Sequence, residues 1–104
     1  MAATKRRGDA PVHPGEILKD TVIPALGMSA RAFALAIGVA PQTLQQVLEG
    51  RRPVGAAMAL RLGKICGNGP DFWMNLQARW DLERARETLG AELDRIEERT
   101  AVEI

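Results

Sequence analysis

Gly38, Pro41 and Gly50 cut the chain after Ser29 into two helical segments of about eight residues each, and this punctuation constrains the fold more than any other feature. Helices that short are marginal on their own in water, so packing has to hold them. Gly38 is free to take the left-handed conformation of a turn, and Pro41 is preorganised to open the next helix. With only Val39 and Ala40 between them, the segments cannot run antiparallel along their full length and must cross steeply. Ala34 permits the close approach, while Phe33, Ile37, Val39, Leu44 and Val47 fall in register on the crossing side. That is the pattern of a helix-turn-helix over residues 29–50. Two or three such positions arise by chance in any helical hairpin; all of them together favour DNA binding over a structural hairpin.

Burying Leu44, Val47 and Leu48 leaves Gln42, Thr43, Gln45, Gln46 and Glu49 on the outer face of the second segment. A glutamine amide offers a donor and an acceptor and can pair bidentately with adenine in the major groove. Gln42, Thr43, Gln45 and Gln46 are therefore candidate base-reading residues, against the plainer reading of a polar helix face. Ser29 opens the first segment as its N-cap, with Met28 placed to staple onto Phe33. Ser29, Arg31, Arg51 and Arg52 flank the reading face and are candidate phosphate contacts.

The rest of the chain reads as helix. Residues 1–12, with Lys5-Arg6-Arg7, Gly8 and Pro11, have no apolar period and read as a flexible basic arm. A helix over 14–22 begins at Pro14 and is expected to stop before Pro24. Another spans 56–66 on Met58, Leu62 and Ile65, with Gly67 as its stop. A last helix starts at Pro70, where Phe72, Trp73, Leu76 and Trp80 form one apolar face expected in the core. Beyond it Leu82, Ala85, Leu89, Leu93 and Ile96 recur at steps of three and four, a seam that outruns the core and is a candidate dimer interface. Asp81/Arg84, Glu83/Arg86 and Glu92/Arg95 stand at i, i+3 on the outer faces, and Gly90 is a candidate kink. The sequence has no period-2 strand and no internal repeat, so the expected class is all-α. The domain is expected over 13–87, with 88–104 as a C-terminal helix extension and tail.

At 104 residues the chain is one small domain. One cysteine and one histidine exclude a disulfide framework and a Cys/His metal cage, and no cofactor is expected. Cys66 reads as a small core residue. Glu16, Asp20 and Glu49 have no nucleophile–base pair or phosphate-cradling loop beside them, which argues against an enzyme. No apolar run reaches the ~18 residues of a membrane span, so the expected setting is the cytoplasm. The net charge of +1 hides an asymmetry, with nine Lys/Arg against four Asp/Glu up to residue 66 and five against nine after it. A basic front suits a polyanion, and an acidic back suits a basic partner.

His13-Pro14-Gly15-Glu16-Ile17-Leu18, the helix-turn-helix, Met58-Ala59-Leu60-Arg61-Leu62 and Pro70-Asp71-Phe72-Trp73-Met74-Asn75-Leu76-Gln77 together resemble the HigA-type antitoxins of the Cro/C1 (XRE) helix-turn-helix family. The resemblance covers about residues 12–87. It implies a five-helix bundle of the lambda-repressor-like type, a homodimer, a palindromic double-stranded DNA operator in the protein's own promoter and a RelE-like mRNA-cleaving toxin as partner. A free-standing regulator of the same fold, without a toxin, is the alternative. Ala30 stands where the family usually carries a polar phosphate-contacting residue, and Ala40-Pro41 replace a more usual Ser-Arg-like pair. Within the signature, His13 reads as a cap or neighbour's hydrogen-bond partner, and Asn75 and Gln77 as caps or interhelix partners.

Overall fold

A computed structural model describes residues 10–100, in which five helices and no strand occur. We number them α1 (Pro14–Leu26), α2 (Ala30–Ile37), α3 (Pro41–Leu48), α4 (Ala56–Cys66) and α5 (Pro70–Leu93). The class is all-α, with α5 as the extended C-terminal helix. The three helices after the first start and stop within a residue or so of their sequence signals, and α5 starts at Pro70 as expected but ends at Leu93, short of Ile96. Ser29 Oγ accepts the Ala32 N–H at 3.0 Å and caps α2, as its side-chain chemistry requires. Gly38 ends α2 with φ +78°, and the Val39 N–H returns to Ala34 O at 3.0 Å, closing the turn between α2 and α3.

Two local expectations fail. The first helix does not stop before Pro24; it runs on to Leu26 and turns 92° into α2. A π turn over Leu18–Val22 explains this, since the Ile23 N–H bonds back five residues to Leu18 O. The wider turn leaves room for a proline ring and needs no N–H from it, so Pro24 is absorbed where a regular helix would break. Nor does Gly90 interrupt α5, which continues through it to Leu93.

The core is where the helices cross. Leu18, Phe33, Ala34, Leu44, Val47 and Leu62 are buried, with Trp73 of α5 as its largest member. The Trp73 indole keeps its polar end satisfied by donating Nε1–H to Asn68 Oδ1 at 3.1 Å. Phe72 departs from the expected core face: it is 43% exposed and meets Trp73 edge-on. Successive residues on a helix point about 100° apart, and on α5 it is Trp73 that takes the buried direction while Phe72 turns toward its edge. Cys66 is only half-buried, and burial pushes its thiol pKa up.

Close backbone approach positions the domain's parts. A Cβ on Gly15 would lie 1.8 Å from Val47 O, and one on Gly63 would lie 2.4 Å from the Gly69 carbonyl carbon. α1 therefore rests directly on the end of α3, and α4 on the turn into α5. Residues 10–12, expected as the end of the arm, are half-buried, and Pro11 lines a hollow with Arg79, Leu82, Glu83 and Arg86 of α5. The remainder of the expected arm, 1–9, and the tail from 101 lie outside the described residues.

Two glycines then predict opposite outcomes. Gly15→Ala drives a methyl into backbone and costs at least the upper end of the ~1–3 kcal/mol typical of overpacking. Gly90→Ala meets nothing within 4 Å inside a helix and gains ~0.5–1 kcal/mol. Urea unfolding at one protein concentration measures both; a neutral Gly15→Ala refutes the contact.

Candidate nucleic-acid interface

α3 turns Leu44, Val47 and Leu48 into the core and leaves Gln42, Gln45 and Glu49 exposed, with Thr43 and Gln46 half-buried at the margins. Ala40, its N-cap, has no side chain able to cap, so the Gln42 and Thr43 N–H groups at the first turn receive no capping bond. Arg31 is exposed in the first turn of α2. Past α3, Gly50 takes φ +75° and sends the chain into the Arg51-Arg52-Pro53 loop. The structure thus gathers the candidate base-reading residues and the candidate phosphate contacts around one helix and the elements that flank it.

The polar groups of this surface are already organised. Arg52 Nε donates to Gln46 Oε1 at 2.9 Å. Glu49 accepts from Gln45 Nε2 and from Arg51 Nε, each at 2.9 Å, and these bonds, Gln45 first, hold its carboxyl below the usual range. Both guanidinium groups remain exposed. Such exposed pairs are worth little in water, so a phosphate oxygen can replace either partner at small cost.

Three residues outside the sequence-derived set hold this surface in place. Arg61 of α4 donates Nη1–H to Ile37 O at 2.7 Å and to Gly38 O at 3.3 Å, tying α4 to the turn and meeting the negative end of α2. Gln77 of α5 is 5% exposed, and its Oε1 accepts the Val54 N–H at 2.8 Å. Gly15 seats α1 on α3, as described. Gln77 was legible as an interhelix partner from its place in the signature, whereas Arg61, also within the signature, carried no expected role because nothing in its neighbours points to the Ile37 and Gly38 carbonyls.

His13 anchors the rear of the interface. Its Nδ1 accepts the Gly15 N–H at 2.9 Å and caps α1, and its ring meets Trp80 edge-on with centroids 5.5 Å apart. Trp80 in turn carries the Arg84 guanidinium over its ring at 5.1 Å. Burial lowers the His13 pKa below 6.5, against the opposing pull of Asp81 and Glu16. Among the described residues no group of His, Cys, Asp and Glu has the geometry of a metal site, and no single helix is long and apolar enough to cross a membrane.

The helix-turn-helix family matches residues 18–73. Antitoxin HigA-1 of Vibrio cholerae is 38% identical over 82 residues, 79% of this chain and 74% of that protein. The chain belongs to the HigA antitoxins of the Cro/C1 helix-turn-helix family. A solved structure of the Pseudomonas aeruginosa antitoxin HigA with the higBA promoter is 36% identical and covers 85% of this chain and 97% of its own, with a TM-score of 0.80. The antitoxin GraA in complex with its operator is 41% identical over 89% of this chain and 94% of its own, at a TM-score of 0.79. HigA antitoxins are DNA-binding proteins and not enzymes.

In this HigA-family chain the lowered His13 pKa makes stability pH-dependent. The folded state prefers the neutral ring, so its support is complete above the unfolded value of about 6.5 and is lost as pH falls from there toward the lower folded value. The urea midpoint therefore drops between about pH 7.5 and about pH 5.5. His13→Asn, which keeps a capping oxygen but takes up no proton, drops less; equal drops contradict the assignment.

Proposed function

We propose that this protein is a sequence-specific DNA-binding antitoxin that represses its own operon as a homodimer on a palindromic operator and neutralises a RelE-like toxin in the cytoplasm. The observation that carries the DNA reading is the Gln42, Thr43, Gln45 and Gln46 face of α3, framed by Ser29, Arg31, Arg51 and Arg52. The fold that presents it is shared with relatives solved on promoter or operator DNA. In this reading α3 enters the major groove, its glutamines meet base edges, and the arginines hold phosphates on either side. Gln42→Ala or Gln46→Ala then costs roughly 1–3 kcal/mol on the operator and little on random DNA. Arg51→Ala or Arg52→Ala weakens both and flattens the salt dependence. Equal losses on both DNAs for Gln42→Ala contradict base reading.

The homodimer rests on α5. It is 24 residues long, about 36 Å at ~1.5 Å per residue, and from Asp81 onward every described residue except Glu83 and Gly90 is exposed. Leu82, Leu89 and Leu93 on it are 54%, 39% and 45% exposed, with Ala85 exposed between them. Ile96, expected on the same helical stripe, lies past the helix end in a turn and is 70% exposed. An uncovered row of leucines favours a second copy as its cover, and two-fold pairing brings two reading helices ~34–36 Å apart to meet successive major-groove turns. Of the expected charge pairs on this helix only Glu83–Arg86 forms, at 3.5 Å; Arg84 pairs with Glu87 at 3.8 Å, and Asp81 is taken by Gln77. The acidic surplus after residue 66 is the match for a basic toxin. Leu89→Glu/Leu93→Glu is expected to stay helical, sediment as a monomer and grip a full palindrome weakly. A variant that remains dimeric with unchanged operator affinity moves the interface elsewhere.

A further inference from the structure

We infer that Gln77 is a positioning residue for DNA, holding the Arg51-Arg52 loop at the height of the phosphate backbone from a helix that does not itself face the groove. The inference rests on the proposed DNA reading and adds the residue through which α5 acts on it. Gln77 is one of two buried polar side chains in the described core, beside His13. It stands between Trp73 and Trp80 on α5, where an apolar residue of similar size would fill the same space. What an apolar residue lacks is an acceptor for the buried Val54 N–H, which Gln77 Oε1 reaches at 2.8 Å across 23 residues of chain. The other end of the amide is fixed as well, since Nε2 donates to Asp81 Oδ1 at 2.9 Å and so turns Oε1 toward the loop.

Val54 lies two residues past Arg52. Pro53, between them, has a locked φ and no N–H, so a displacement of Val54 passes to Arg52 with little room for local adjustment. Arg52 in turn braces Gln46 on the reading face. The hydrogen bonds Asp81–Gln77–Val54 and Arg52–Gln46, joined through the backbone of Pro53, lead from the flank of α5 to the candidate base-reading surface.

The test uses the full-length protein, a random-sequence duplex and a salt titration, because phosphate contacts are independent of sequence and set the slope of log affinity against log salt. Gln77→Leu is expected to lower that slope by about as much as Arg52→Ala, roughly one unit, and to abolish exchange protection of the Val54 amide. The swap Gln77→Glu/Asp81→Asn keeps an acceptor for Val54 and reverses the second bond, so it restores both readouts, while Gln77→Glu alone, which sets two carboxylates together, does not. If Gln77→Leu fails to fold, the comparison of Gln77→Glu with the swap gives the same answer. A wild-type slope in Gln77→Leu while Arg52→Ala lowers it overturns the inference, as does a swap that recovers Val54 protection but not the slope. An unchanged slope in Arg51→Ala and Arg52→Ala overturns the phosphate reading itself, and the positioning role with it, even where Val54 protection responds as expected.

Discussion

The contact between the backbones of α1 and α3 at Gly15 is the constraint on which the rest of the molecule depends. α3 is an eight-residue helix, too short to persist in water without support, and its outer face, with Gln42, Gln45 and Glu49, is left to solvent. Support therefore has to come from its buried side and its C-terminal end. Gly15 lets α1 lie against Val47 with no side chain between them, and His13, two residues earlier, caps α1 while resting on Trp80. α5 adds the Val54 tie through Gln77, and α4 adds the Arg61 clamp on the turn. Each neighbour of α3 grips it from behind or at its ends, leaving the front clear.

The front has a different economy. The two arginines after α3 are neither buried nor idle: Arg52 rests on Gln46 and Arg51 on Glu49. These weak, solvated bonds keep long side chains in defined directions without trapping them, since an exposed pair gives up little when a better anion arrives. Glu49 adds a negative charge at the end of the face, where Gln45 and Arg51 both donate to it. Deep burial is thus reserved for the groups that set geometry, and exposure for those that would exchange partners.

Much of this was legible in the sequence because it is governed by local chemistry. Ser29 caps, Gly38, Gly50 and Gly67 turn left-handed, and Pro41 and Pro70 open helices for reasons contained within a few residues. Pro24 misled because the remedy, a five-residue π turn ending two residues before it, is a property of α1 as a whole and not of the proline. Phe72 misled because adjacent aromatics look equivalent until one of them is assigned the buried direction. Gly90 looked like a break, yet a helix interior tolerates a glycine for about 1 kcal/mol.

By itself the sequence determined the helices, the class, the polar face of α3 and the family, because capping, periodicity and short signature motifs act over a few residues and need no partner. Only the tertiary structure decided what holds that face: Gly15 against Val47, Arg61 at the Ile37 and Gly38 carbonyls, and Gln77 at Val54. Those contacts join residues more than twenty positions apart, and their value comes from distance and burial, which exist only once the helices have crossed.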